Sequence, residues 1–246
     1  MAKLDLNKAK IFVAENIGAF HQSRLDCLKN LKLKTILRKK NPYLFKAKNI
    51  NVASDLVTTI MDAYLSSAEE ELFGNFLEDL ALFIASNTRG ANKSSSEGID
   101  FEFIKDKVHF IISVKSGPNW GNSSQQTKLE ENFKKAVKVL KQSKHTLNVQ
   151  PILGICYGKT KSSFIRGYWK YVGQNFWYFI SGEKSLYTDI IEPLGYKAKE
   201  HNELFLKEKD RLVNLFTEEF MKDFCDDGRI NWKNIVEFNS GNMDLS

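Results

Sequence analysis

Two short stretches hold residue types that could do chemistry together: Gly98-Ile99-Asp100 and Ser113-Val114-Lys115-Ser116-Gly117. Between them the pattern has a period of two. Ile99, Phe101 and Phe103 alternate with Asp100, Glu102 and Ile104, and Val108, Phe110, Ile112 and Val114 alternate with His109, Ile111, Ser113 and Lys115, which is the signature of two strands. A two-residue turn at Asp106-Lys107 predicts a β-hairpin in which paired residue numbers sum to 213. That register sets Asp100 across from Ser113 and on the same face as Lys115, so an acid and an amine converge. A shift of one residue would carry Lys115 to the other face, so the chemistry depends on the turn. A carboxylate placed there can hold a cation, and a lysine brings a compact positive charge up to a phosphate. The plainer alternative is a strand-end lysine snorkelling to solvent.

The elements on either side must position this hairpin. Residues 7–38 read as helical, and Ser54 is placed to cap a helix carrying Leu56, Val57, Ile60, Met61 and Tyr64. Ser67 with Glu70 has the spacing of a capping box for a further helix to about Ala85, with Leu72, Phe73, Phe76, Leu77, Leu80 and Ile84 on one stripe. A polar loop over residues 86–96 follows. Beyond the hairpin, Gly117 to Gly121 breaks the strand, and Ser123 with Gln126 offers a cap for a helix bearing Leu129, Phe133, Ala136, Val137 and Leu140. Pro151 to Tyr157 reads as a buried central strand and Asn175 to Ile180 as another, and from about Leu194 the chain is helical and acidic. The expected class is α/β (α+β), a mixed central sheet flanked by helices with helical N- and C-terminal extensions. One domain is expected over 1–246: a helical part at 1–66, a core at 67–182 and an acidic helical part at 183–246.

Composition bounds the function classes. The 246 residues are 42% hydrophobic and 27% charged, with 14 Gly and 4 Pro, which sets aside disordered and low-complexity classes. No apolar stretch approaches the roughly 18 residues of a membrane helix. The first ten residues include Lys and Asp and lead into no apolar core, so no secretory leader is expected and the cytoplasm is the expected location. Cys27, Cys156 and Cys225 fit neither a disulfide framework nor a paired zinc site and read as buried thiols, and His21, His109, His145 and His201 show no ligand spacing. The net charge of +6 is segregated, because residues 200–246 hold 6 basic against 11 acidic side chains. Two basic runs remain, Lys29 to Lys48 and Lys128 to Lys144, and they suit a polyanionic partner as well as they suit solvated helix faces.

The hairpin resembles that of the PD-(D/E)XK nucleases, type II restriction endonucleases in particular, over residues 68–180. Asp100 matches the family's first acid and Lys115 its lysine. Ile99 stands where Pro is frequent, and Ser113 stands where a second carboxylate is usual, a Ser-x-Lys variant. The resemblance implies the PD-(D/E)XK nuclease fold and hydrolysis of double-stranded DNA by Asp100, Lys115 and Ser113, leaving 5′-phosphate and 3′-hydroxyl ends. It implies Mg²⁺ held by Asp100, the main-chain carbonyl of Val114 and a Glu borrowed from a neighbouring helix. Two are candidates: Glu130, near the edge of its helix's apolar stripe, is preferred to Glu78, which projects nearly opposite Leu72, Phe76 and Leu80. Arg89, Lys93, Ser116, Asn119, Trp120, Asn122 and Gln126 flank the pair with donors suited to phosphates and base edges, and are the expected DNA-binding residues. A homodimer and a companion DNA methyltransferase acting on the same site are implied too. Two other readings fit the same residues, a non-catalytic DNA- or RNA-binding module and a structure-selective repair nuclease.

Overall fold

The computed structural model describes residues 4–143 and 148–243. Lys144 and His145, part of the expectations above, lie outside them. In chain order the elements are α1 (Leu6–Lys29), α2 (Leu33–Lys39), α3 (Pro42–Ala47), α4 (Ala53–Arg89), β1 (Asn92–Lys93), β2 (Phe101–Lys105) and β3 (Val108–Lys115). Then come α5 (Ser123–Ser143), β4 (Asn148–Ile155), β5 (Ser163–Ile165), β6 (Tyr168–Val172), α6 (Gln174–Ser181), α7 (Leu186–Asp189) and α8 (Ile191–Leu194). The chain ends with α9 (Ala198–Phe224), β7 (Cys225–Asp226), β8 (Arg229–Ile230) and α10 (Trp232–Ser240). Two compact units divide it, one of residues up to Gly18 with Phe73–Tyr196, the other of Ala19–Leu72 with the chain from Lys197 onward.

The first unit is built on a mixed six-stranded sheet in the order β1-β2-β3-β4-β6-β5, the α+β class expected. β2 and β3 form the hairpin, paired from Phe101↔Ile112 to Lys105↔Val108. Its turn has positive φ at both central residues, Asp106 (49°) and Lys107 (64°), the primed geometry that matches the right-handed twist of strands. β3 then runs parallel to β4, Val108↔Asn148 through Lys115↔Ile155, and a parallel pair requires a crossover, which is α5. The apolar stripe of that helix, Leu129, Phe133 and Ala136, buries against Ile111, Leu153 and Ile155.

Several elements differ from the sequence reading. The two helices expected on either side of Ser67 are one, α4, 37 residues long. The Ser67 hydroxyl bonds back to the Ala63 carbonyl at 3.2 Å instead of capping, and with no Gly or Pro between Ala53 and Phe73 nothing ends the helix. Residues 86–89, expected in a loop, are its last turn. Asn175 to Ile180 lies in a helix, α6, not a strand: Phe176, Trp177, Ile180 and Ser181 are the buried positions, a helical spacing that a short aromatic run conceals. The cap of α5 is Asn122, whose Oδ1 accepts from the Gln125 amide (3.1 Å) while Gln125 Oε1 accepts from the Asn122 amide (3.0 Å). This is the reciprocal capping box one residue earlier than expected. The helical start also breaks at Leu31, between α1 and α2.

The second unit encloses its own core, with Leu28, Ile36, Leu56, Met61, Phe216 and Phe220 among its buried members. Much of the first basic run is spent inside this unit. Lys34 pairs with Asp223 at 2.8 Å, Lys40 Nζ donates to the Ala63 carbonyl at 2.6 Å, and Arg38 and Lys46 lie over the rings of Phe238 and Trp232. The acidic C-terminal segment and the basic run thus satisfy one another in part. Cys156 is buried as expected, whereas Cys27 and Cys225 are only half-buried, and all three are free thiols. No described helix is long and apolar enough to cross a membrane.

Candidate active site

Asp100 follows a pinned loop. Gly98 has φ +73°, and a Cβ on it would stand 2.1 Å from Asn132 Nδ2, so only glycine lets the chain pass α5 here. Glu97, one residue earlier, pairs with Lys128 at 3.0 Å and Lys135 at 3.4 Å on that helix. The paired ladder stops at Phe101, and the Asp100 amide donates to the Ile112 carbonyl at 2.8 Å. Asp100 therefore sits one residue short of the direct opposition to Ser113 that the turn arithmetic gave. The offset frees its carboxylate to accept from the Val114 amide at 2.5 Å and to bond the Ser113 side chain. Within a strand an amide and the carbonyl of the same residue point the same way, so the Val114 carbonyl is directed to the side where β2 has already ended.

The second carboxylate beside Asp100 belongs to Glu78. Their side chains are hydrogen-bonded, and Lys115 acts on both as the opposing positive charge. Burial, reinforced by the Asp100 charge, pushes the Glu78 carboxyl up to about 7, and burial also raises Asp100 against the pull of the Val114 amide and Lys115. Two carboxyls this close share a proton when no cation lies between them. The glutamate that the structure sets beside Asp100 is Glu78 and not Glu130. Glu130 forms an ion pair with Arg166 Nη1 at 2.8 Å and is absent from the groups that act on Asp100. Measured from Leu72, Phe76 and Leu80 alone, Glu78 projects to the opposite side of the helix. The buried face of α4 in this unit also includes Leu77, Ala81 and Ala85, and at about 100° per residue Glu78 falls beside Ala85 at the edge of that wider stripe.

The remaining expected site residues are spread out. Lys115 Nζ lies 6.0 Å from the centre of the Trp120 ring, which also packs on the core beneath α5. Ser116 is half-buried and Asn119 exposed on the same loop. Asn122 is the cap of α5, and Gln126 donates to the Gly121 carbonyl at 3.2 Å. Lys93 is exposed on β1. Arg89 is drawn into the fold: its Nε and Nη2 donate to the Phe179 carbonyl at 3.2 and 2.7 Å, a clasp between the ends of α4 and α6. Cys156 was not foreseen near this site. Its amide donates to the Lys115 carbonyl at 2.9 Å, and burial with the nearby Glu78 charge raises its thiol far above the usual range, leaving it inert.

A hairpin acid hydrogen-bonded to a helix acid, with a strand-end lysine next to both, is a donor set for a hard divalent cation and a phosphate. Residues 7–202 match the family model described as type II restriction endonuclease EcoO109I. The chain belongs to this family of type II restriction endonucleases. It is thus a type II site-specific deoxyribonuclease, a hydrolase whose substrate is double-stranded DNA, from a class of enzymes that generally use divalent metal ions. The non-catalytic reading gives way to this membership. A comparison with curated proteins gives no match.

Proposed function

We propose that this restriction endonuclease is Mg²⁺-dependent, that Asp100, Glu78 and the Val114 carbonyl hold the ion, and that it leaves 5′-phosphate and 3′-hydroxyl ends. The observation that carries the reading is the carboxyl pair itself. Glu78 and Asp100 are held together at the cost of a shared proton, an arrangement that a divalent cation relieves and that oxygen-ligating ions favour. Glu78 supplies from α4 the carboxylate that Ser113 lacks, and Ser113 orients Asp100 through its side-chain hydrogen bond. Held by these residues, Mg²⁺ would supply acidification of a bound water and neutralisation of the charge developing on the phosphate. Lys115 orients the attacking water and stabilises the phosphoryl oxygens in the transition state. Lys93, Ser116, Asn119, Trp120, Asn122 and Gln126 face the DNA near the cut, and Arg89 serves the scaffold. Cleaving both strands of a symmetric site is most simply done by a homodimer, with a companion methyltransferase protecting the same sequence.

The test is digestion of plasmid DNA by the purified protein with Mg²⁺ and with EDTA, beside folded Asp100→Ala, Glu78→Gln, Lys115→Ala and Glu130→Gln variants. Discrete Mg²⁺-dependent fragments, lost in the first three and kept in Glu130→Gln, are expected. Retained cutting by Glu78→Gln with loss in Glu130→Gln would overturn the ligand assignment.

A further inference from the structure

β3 and β4 run on side by side past their ladder. The Tyr157 amide donates to the Ser116 carbonyl at 3.1 Å, one step beyond the bond from Cys156 to Lys115. The segment therefore lies against the proposed site, and the charges of Glu78, Asp100 and Lys115 all reach Cys156. Tyr157 itself is 59% exposed, and its ring packs on the neighbouring main chain. It lies over Gly117, two residues after Lys115, where a Cβ would stand 2.3 Å from both Cζ and Oη of the tyrosine. Glycine at 117 is what allows the phenol to approach the main chain there. The fold thus places an exposed tyrosine against Gly117 at the rim of the site, with Lys159 and Lys161 exposed just beyond it.

We propose that the Tyr157 hydroxyl donates to a non-bridging oxygen of a DNA phosphate next to the scissile one, making Tyr157 a substrate-positioning residue. A phenol suits this contact because it donates one directed hydrogen bond without adding charge beside Lys115, and phosphate contacts set the register of the duplex on the enzyme. The inference rests on the reading that DNA is cut at Asp100, Glu78 and Lys115.

The experiment uses the full chain and a duplex carrying the cleavage site mapped from plasmid digestion. Single methylphosphonates replace each phosphate around the cut in turn. Binding is followed by fluorescence anisotropy in EDTA, and single-turnover cleavage is followed with Mg²⁺. Loss of a hydrogen bond to a charged oxygen predicts about tenfold weaker binding by Tyr157→Phe. The wild type should lose about as much with a methylphosphonate at one position adjacent to the cut, and Tyr157→Phe should lose nothing further at that position. Gly117→Ala, which displaces the ring, should behave like Tyr157→Phe, with melting curves confirming that both variants fold. Additive losses at every position, coupling only away from the cut, or unchanged binding by Tyr157→Phe would each overturn the proposal. Continued cutting by Asp100→Ala and Glu78→Gln would instead defeat the metal-site reading, so the two failures are distinguishable.

Discussion

Two carboxyl groups as close as those of Glu78 and Asp100 cannot both ionise cheaply without a cation, and this sets the residue-scale expectations. Glu78 is raised from 4.5 to about 7 in the folded chain. Between those values the folded protein keeps a proton that the unfolded chain has released, so its extra stability is fully present below about 4.5 and is lost as pH rises through about 7. In EDTA, thermal melting of the wild type should therefore fall between pH 5 and pH 8 more steeply than that of Glu78→Gln. The glutamine amide donates to Asp100 at every pH, as the protonated acid does. The variant should melt a few degrees higher at pH 8, with the gap closing at pH 5; parallel curves would refute the shared proton. On the proposal that Glu78 and Asp100 hold Mg²⁺, the ion should restore the wild type at pH 8 while leaving Asp100→Ala unmoved. In cleavage, Glu78→Gln should cost roughly a thousandfold in rate, and Glu130→Gln only a few-fold, since Glu130 is engaged with Arg166.

The hairpin and α5 are the elements that bring the groups together, and each rests on a local device. Asp106 and Lys107 both occupy left-handed backbone, a conformation that costs roughly 1–2 kcal/mol for a residue with a Cβ. Lys107→Gly should accordingly raise the denaturant midpoint, by about 1 kcal/mol of stability, without changing the register. Asn122→Ala removes the acceptor for the Gln125 amide and should cost about 1 kcal/mol, read from the same denaturation curves. The register could be read in the sequence because a two-residue turn fixes every pairing behind it. What could not be read was the release of Asp100 from the ladder at its far end, next to the place where Gly98 packs against Asn132 of α5. The helical state of residues 175–180 was hidden for a related reason: six residues, mostly apolar, satisfy a strand and a helix equally well until their neighbours are known.

At the scale of the whole molecule, a homodimer predicts that sedimentation at working concentration gives twice the mass of the chain, whereas a monomer would direct attention to sequential nicking. Charge is distributed less simply than the basic excess suggested. Lys34, Arg38, Lys40 and Lys46 are held by Asp223, Phe238, Ala63 and Trp232 within one unit, so a run of cations in the sequence is not by itself a DNA track. The sequence alone determined the mixed α+β class, the hairpin, its turn, and the juxtaposition of Asp100 with Lys115, because strand alternation and turn chemistry are local. Tertiary structure alone decided which glutamate joins Asp100. Leu77, Ala81 and Ala85 widen the buried face of α4 beyond Leu72, Phe76 and Leu80, and which residues a helix buries is set by what packs on it, not by its own periodicity. The same holds for Cys156 and Tyr157, brought beside Lys115 by a parallel pairing of β3 with β4 that no local pattern encodes, since a parallel partner arrives only after a crossover.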